Sequence, residues 1–301
     1  MVQLHYFPPA EQVYHSFVPS KFDGFPIEKY FAARFNYLQE EQWAERIRAG
    51  WITLNGNKVQ PGVRIRERDR LVTRMGVRRE PPANRTLDVV YEDSRIRVFN
   101  KAAPIPVHPC GRYFKNSMTE LLKEVYPEEV PRPVQRLDAG TTGLIVFART
   151  RAAAAFLMAE FQENRVAKEY LALVEGTPKL DRFTVDAPIG KIKGSKRGTG
   201  EGLIRPKPAR TEIECLAAVN GRSLLKVIPH SGRTNQIRVH LTSAGFPIID
   251  DPVYGNGKGS SGMFGLHARR LRFRCFDTLF DLTAACPDHF KPFLDVVKIT
   301  V

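Results

Sequence analysis

Cysteine is scarce and dispersed. Only Cys110, Cys215, Cys275 and Cys286 occur in 301 residues, and no two form a Cys-x-x-Cys pair. That excludes a zinc ribbon, a redox dithiol and a disulfide framework. With no basic stretch leading into an apolar one at Met1-Val2-Gln3-Leu4-His5, the expectation is a cytoplasmic protein in a reducing environment. Long apolar runs are also missing. The longest, residues 144–148 and 152–159, fall well short of the ~20 residues that cross a bilayer as a helix. No membrane partner is expected. His230, His240 and His267 lack a compact ligand spacing such as His-Glu-x-x-His, and neither a phosphate-binding P-loop nor a dinucleotide fingerprint is present. No cofactor and no resident metal are therefore expected.

Acidic residues are in deficit. There are 46 Lys and Arg against 32 Asp and Glu, a formal charge of +14 with a sequence pI near 9.8. The excess points to a polyanionic partner, nucleic acid first and an acidic membrane surface second. At 43% hydrophobic and 10% aromatic residues the chain has the material for a core, which excludes disorder as its main state. Its length suits two domains.

Residues 1–20 are Pro-rich and aromatic without a period, and read as an extended arm. From Ile27 to Gly50 the spacing of Phe31, Phe35, Leu38, Trp43 and Ile47 is helical, with Gly50 at a C-cap position. Asn55-Gly56 between β-formers predicts a hairpin. Two helices and a small β-ribbon carrying Arg46, Arg48, Arg64, Arg66, Arg68 and Arg70 make a basic module over residues 1–80. Around Pro81-Pro82 lies a linker. Residues 81–301 form the second domain, and the positive charge is spread over both parts.

In the second domain, strands are expected at 87–91, 96–100, 144–148 and 170–174, a helix at 152–162, and a hairpin at 212–228 turning on Asn220-Gly221. A helix is expected over 234–244 and a strand with a basic face around Leu271 and Phe273. The Gly-, Lys- and Arg-rich stretch 190–209 reads as a mobile loop. Hairpins outnumber βαβ patterns, so the expected class is α+β: a small N-terminal domain plus a larger domain with a mainly antiparallel mixed sheet flanked by helices and loops.

Four segments carry polar groups suited to chemistry. In Gln135-Arg136-Leu137-Asp138-Ala139-Gly140-Thr141-Thr142-Gly143, a carboxylate precedes a buried strand, where catalytic groups are often placed. A turn carboxylate that caps backbone N–H groups fits equally. Lys168, Tyr170 and Ala172 share one strand face, a pattern that also describes an ordinary core or rim. In the run from His230 to His240, Thr234 is placed to cap a helix whose first turn, with Arg233, would suit a phosphate. A plain capped helix is the alternative. Asp250-Asp251 invites a metal reading, for which no histidine lies at ligand spacing.

Arg136-Leu137-Asp138 with Thr142-Gly143, the Lys-x-Tyr ending at Tyr170, Gly232-Arg233-Thr234-x-Gln236-Ile237-Arg238-Val239-His240, Asp251 with Tyr254-Gly255, and Leu266-His267-Ala268 occur in that order. Together they resemble the RluA-type family of RNA pseudouridine synthases. Residues 21–72 resemble the small S4-like RNA-binding domain that often precedes its catalytic domain. Where the family usually has His, Ser and His, this chain has Gln135, Thr142 and Asn235. It also has Ala102-Ala103-Pro104 after Lys101 where Pro-Ala-Gly is usual, Asp250 where Gly is usual, and Cys275-Phe276 where His-Pro is usual.

The resemblance implies isomerisation of uridine in RNA. The base is flipped from its stack, detached from ribose at nitrogen 1, turned, and rejoined through carbon 5. By resemblance Asp138 is the essential carboxylate, Arg238 its cationic partner, and Tyr170 the residue that stacks on uracil and helps remove the carbon-5 proton. Arg136 would fill the gap left by the flipped base. Leu137 and Ile237 would line the pocket, and Arg233, Arg46 and Arg48 would contact RNA. Ribosomal RNA is favoured over transfer RNA, and a monomer is expected. Two alternatives are an RNA-binding assembly factor on the same fold without catalysis, and a metal-dependent nuclease using Asp250, Asp251 and histidines.

Overall fold

The chain divides into two compact units, Phe7–Glu80 and the remainder, Met1–Tyr6 with Pro81–Val301. A computed structural model describes residues 4–35, 37–256 and 262–297. The smaller unit runs β1 (Ala10–Phe17), α1 (Ile27–Arg34), α2 (Glu40–Arg48), β2 (Ile52–Leu54), β3 (Asn57–Lys58) and β4 (Arg70–Arg78). Its strands form one antiparallel sheet in the order β1-β4-β2-β3. Ile27, Tyr30 and Phe31 of α1 and Trp43 and Ile47 of α2 are buried with Ile52, Ile65 and Leu71. Inward positions three and four apart are what make these two helices amphipathic. Asn55 (φ 51°) and Gly56 (φ 87°) adopt left-handed conformations at the β2–β3 turn, as the hairpin requires.

Two sequence expectations change here. Residues 10–17 are not a loose arm: they form the edge strand β1, with Tyr14 opposite Thr73 and Ser16 opposite Leu71. Pairing supplies backbone partners that the irregular side-chain pattern did not announce. The expected module at 1–80 also begins later. The His5 N–H donates to Ala83 O (2.8 Å) and the Ala83 N–H to His5 O (3.2 Å), which ties this part of the N-terminus to the larger unit.

The larger unit runs β5 (Val89–Glu92), β6 (Ile96–Lys101), α3 (Met118–Val125), β7 (Arg132–Pro133), β8 (Thr142–Ala148), α4 (Arg151–Gln162), β9 (Ala167–Glu175), β10 (Arg182–Asp186), β11 (Ile189–Lys191), β12 (Arg197–Gly198), β13 (Ile204–Lys207), β14 (Arg210–Val219), β15 (Arg222–Pro229), α5 (Gln236–Ser243), β16 (Leu266–Cys275), β17 (Thr278–Thr283) and α6 (Lys291–Val297). Ten strands build one sheet along β10-β14-β15-β9-β16-β8-β6-β5, with β17 beside β16 and β7 beside β8. Its ladders are antiparallel except β8–β16, parallel at His267–Thr142 and Ala268–Gly143. The architecture is α+β with a mainly antiparallel mixed sheet.

β8 is buried at all seven positions, the environment that its unbroken apolar run requires. Alternation along β9 divides the sheet into two faces. On one face, Ala153 and Leu157 of α4 pack with Leu144, Val146 and Leu271. Ile237 and Leu241 of α5 pack with Ala172, Leu225 and Val227 on that face. On the other, Leu171 and Leu173 meet Phe290 and Leu294. Between α4 and α5 a cleft is left open over the sheet.

The stretch 190–209 is not a featureless loop. It contains a three-stranded sheet, β12-β11-β13. Gly190 and Gly198 face each other in register, and a Cβ would lie 2.6 Å from Leu203 on the first or 2.5 Å from Ile192 on the second. These glycines serve close packing, which composition alone does not separate from flexibility.

Candidate active site

Asp138 lies in the loop that enters β8. Two features hold that loop. Gly143 (φ +104°) approaches β16 so closely that a Cβ would stand 2.3 Å from Ala268 O, so only glycine lets β8 begin here. Lys101, at the end of β6 and 1% exposed, donates from Nζ to Ala102 O (2.8 Å), Ile105 O (2.8 Å) and Ala139 O (3.2 Å). The last bond fastens the residue after Asp138. Burial pushes the Lys101 pKa down to about 7, against the opposing charge of Asp138. The sequence marked Lys101 only as a motif position. Nothing in an isolated lysine shows that it will turn inward.

Arg238 is the hub of the site. Its Nε and Nη2 donate to Asp251 Oδ2 (2.7 Å) and Oδ1 (2.8 Å). Its Nη1 donates to Asp138 Oδ2 (2.6 Å) and to Asn235 Oδ1 (3.3 Å). The Tyr254 and Phe264 rings flank the guanidinium, with centroids 4.9 and 4.7 Å from its carbon. Asp251 is fully buried, and its Oδ1 also accepts from the Val253 and Tyr254 N–H groups (2.9 and 3.0 Å). Burial works to raise the Asp251 pKa, but the Arg238 bonds and charge and the two N–H groups outweigh it and hold the carboxyl below its usual range. Asp138 is different, because its side chain is 32% exposed and faces open space. One carboxylate thus orients the arginine, and the arginine presents the other. Sequence reading placed Asp251 in a motif and in a metal alternative but missed this role. Its signal was the spacing of Asp251 ahead of Tyr254-Gly255.

Asp138, Tyr170, Arg238, Leu137, Ile237, Arg136 and Arg233 all line one cleft of about 540 Å3. Leu137 and Ile237 are buried in its walls, and Arg136 is exposed at its rim. Arg233 donates from Nε to Pro208 O (3.0 Å). Burial raises the Tyr170 pKa, and the Asp138 charge adds to it. Both effects favour the neutral phenol. Arg46 and Arg48 sit on α2 in the smaller unit. The Arg46 guanidinium lies over the Trp51 ring (4.8 Å), and Arg48 pairs with Glu41 at 3.2 Å.

Thr234 does not cap α5. The N-cap is Asn235, in a left-handed conformation (φ 59°) without a side-chain cap bond. Gln236 secures the preceding loop instead, since its Oε1 accepts from the Ser231 hydroxyl (2.7 Å) and the Arg233 N–H (3.0 Å). The unusual residues also have defined partners. Thr142 Oγ1 is 2.9 Å from His267 Nδ1. Asn235 Nδ2 donates to the Tyr254 hydroxyl (3.0 Å), which also accepts from the Arg197 N–H (2.9 Å).

The residues of the metal alternative are dispersed. Asp250 is exposed while Asp251 is committed to Arg238. His230 pairs with Glu212 at 3.0 Å, His240 with Thr211 at 2.8 Å, and His267 with Thr142. Among the described residues no three His, Cys, Asp or Glu gather as a metal site.

Residues 95–243 match the family described as RNA pseudouridylate synthase. A protein of Aquifex aeolicus named as an uncharacterized RNA pseudouridine synthase is 31% identical over 251 residues, covering 76% of each chain. The chain belongs to the RNA pseudouridylate synthase family. RNA pseudouridine synthase 7 of Arabidopsis thaliana is 31% identical over 252 residues, 80% of this chain. This chain spans 63% of that relative's length. Human RNA Pseudouridylate Synthase Domain Containing 1 matches as a structure with a TM-score of 0.61 and 28% identity, covering 72% of this chain and 90% of that one. The family match contains the Asp138 loop, Tyr170 and Arg238. Asp251, which fixes the arginine, lies beyond its end.

Proposed function

We propose that this protein isomerises uridine to pseudouridine in structured RNA, as a cytoplasmic monomer, with ribosomal RNA as the favoured substrate class. The observation that carries the reading is the Asp251–Arg238–Asp138 chain. A fully buried carboxylate fixes the guanidinium, which holds a second, solvent-facing carboxylate 2.6 Å away in a cleft floored by a neutral tyrosine.

The chemistry follows from that arrangement. A uridine reaches the cleft only after leaving its stack, and the Tyr170 ring offers it a new stacking partner. The bond from ribose carbon 1 to uracil nitrogen 1 then breaks, and one from ribose carbon 1 to uracil carbon 5 forms. Carbon 5 releases a proton and nitrogen 1 gains one, so the atoms balance without a redox partner. Asp138 acts as the anion, by attack on ribose or by taking a ribose proton. Arg238 holds its carboxylate in place in either case, through the 2.6 Å bond from Nη1 to Oδ2. The net positive charge suits phosphate contacts that position RNA without reading its sequence. The choice of ribosomal RNA rests on the likeness of residues 21–72 to an S4-like module.

The test is to map carbodiimide-reactive pseudouridines in ribosomal and transfer RNA from deletion cells. The cells are complemented with the wild type or with Asp138→Asn. The expected result is at least one site restored by the wild type alone, with RNA binding by the variant nearly unchanged. If no site depends on Asp138, the enzymatic reading fails and RNA binding without catalysis replaces it.

A further inference from the structure

The cleft extends past the groups that the isomerisation uses. Besides Asp138 and Arg238, it is lined by Met158 and Phe161 of α4 and by Lys168 and Leu271, which are ladder partners on β9 and β16. Met158 is 48% exposed although Ala153 and Leu157 of the same helix are fully buried. Phe161 is only partly covered by the core beneath α4. Large apolar side chains that line a cavity unfilled are a surface suited to a planar ligand.

Lys168 adds a charge. It is half-buried, and among the described residues no carboxylate pairs with it. Its Nζ makes one long bond, 3.4 Å, to Ser231 O. Burial lowers its pKa with no compensating acid. A half-buried cation without a counter-charge is costly until an anion arrives. Lys168 and Tyr170 share a strand face two residues apart, about 6.6 Å along β9, the scale of one nucleotide step. An apolar ligand would leave the cation idle, and a lone anion would leave the shelf of Met158 and Phe161 idle. A nucleotide, with a flat base joined to a phosphate, uses both.

Resting on the reading that the cleft takes a flipped uridine, we propose that its α4 side is a second nucleotide subsite. There Lys168 meets the phosphate between the target uridine and its chain neighbour, and Met158 with Phe161 receives the neighbour's base. The protein is thereby sensitive to what flanks the target, through contacts outside the catalytic groups.

The experiment titrates the full chain with uridine and with the dinucleotide UpU, followed by ligand-observed NMR. UpU is expected to bind at least about fivefold more tightly than uridine, the low end of what base stacking contributes. Met158→Ala and Lys168→Gln should each remove most of that gain while uridine binding stays within twofold of wild type. Equal binding of the two ligands overturns the proposal. So does a gain that survives Met158→Ala, or a uridine affinity that falls in parallel with that for UpU. The titration needs no turnover. Absence of Asp138-dependent pseudouridine in cells would refute the functional reading while leaving the UpU difference to stand or fall by itself.

Discussion

Replacing Asp251 by Ala should damage this protein more than any other single carboxylate change in the larger unit. The carboxylate is fully buried and accepts four hydrogen bonds: two from Arg238 and one each from the Val253 and Tyr254 N–H groups. Removing it leaves a guanidinium that is 8% exposed without its main counter-charge and strands two backbone donors. Breaking a buried pair by deleting one partner typically costs about 3–5 kcal/mol. Each stranded donor alone costs about 1–3 kcal/mol. These losses overlap, so about 3–5 kcal/mol is the expected total. Asp251→Asn keeps one oxygen for the two N–H groups and loses the bidentate charge pairing, so about 1.5–3 kcal/mol is expected. Asp250→Asn is the control. Its side chain is exposed and its φ of 60° is one that asparagine tolerates, so the change should stay within about 0.5 kcal/mol. The assay is urea unfolding by circular dichroism. Tryptophan fluorescence, recorded alongside, reports the smaller unit, where Trp43 and Trp51 both lie. Both Asp251 variants should also lose pseudouridine formation, because Arg238 no longer presents a fixed donor to Asp138. A shift below about 1 kcal/mol for Asp251→Ala with activity retained would refute this account.

Other outcomes follow from the same contacts. The buried His267 ring is pushed by desolvation from 6.5 to about 4, so the folded protein keeps it neutral where the unfolded chain binds a proton. Stability should be full above about pH 6.5 and fall by up to about 3 kcal/mol as the pH drops toward 4. The stability difference between pH 7 and pH 5 should shrink in His267→Asn, and equal differences would contradict this. Asn235 bridges Arg238 and the Tyr254 hydroxyl from a left-handed backbone, so Asn235→Gly removes the bridge without backbone strain. It should lower kcat with KM little changed, and full activity in the glycine variant would show that the side chain does not position Arg238.

Much was legible in the sequence because the signals were local. The helical spacing of Phe31, Trp43 and Ile47, the Asn-Gly turns at 55–56 and 220–221, and the apolar run at 144–148 are properties of neighbouring residues, and each element formed where its pattern lay. The order of short motifs, from Arg136-Leu137-Asp138 to Leu266-His267-Ala268, was legible in the same way. Residues 10–17 and 190–209 escaped because their backbone partners lie far along the chain or depend on glycines packed closely against Leu203 and Ile192. Composition reports no such pairing.

The sequence by itself determined which residue types were available: one carboxylate at a strand entrance, one strand tyrosine, and an arginine near a helix start. Only the tertiary structure decided their relations. It joined Asp251 to Arg238 and Arg238 to Asp138, 100 residues apart in the chain, and turned Lys101 inward beneath the Asp138 loop. Burial and charge act through space, at distances set by the ladders and helices that bring remote segments together. A local pattern can place a side chain on a face, but which distant charge it meets there depends on the whole fold.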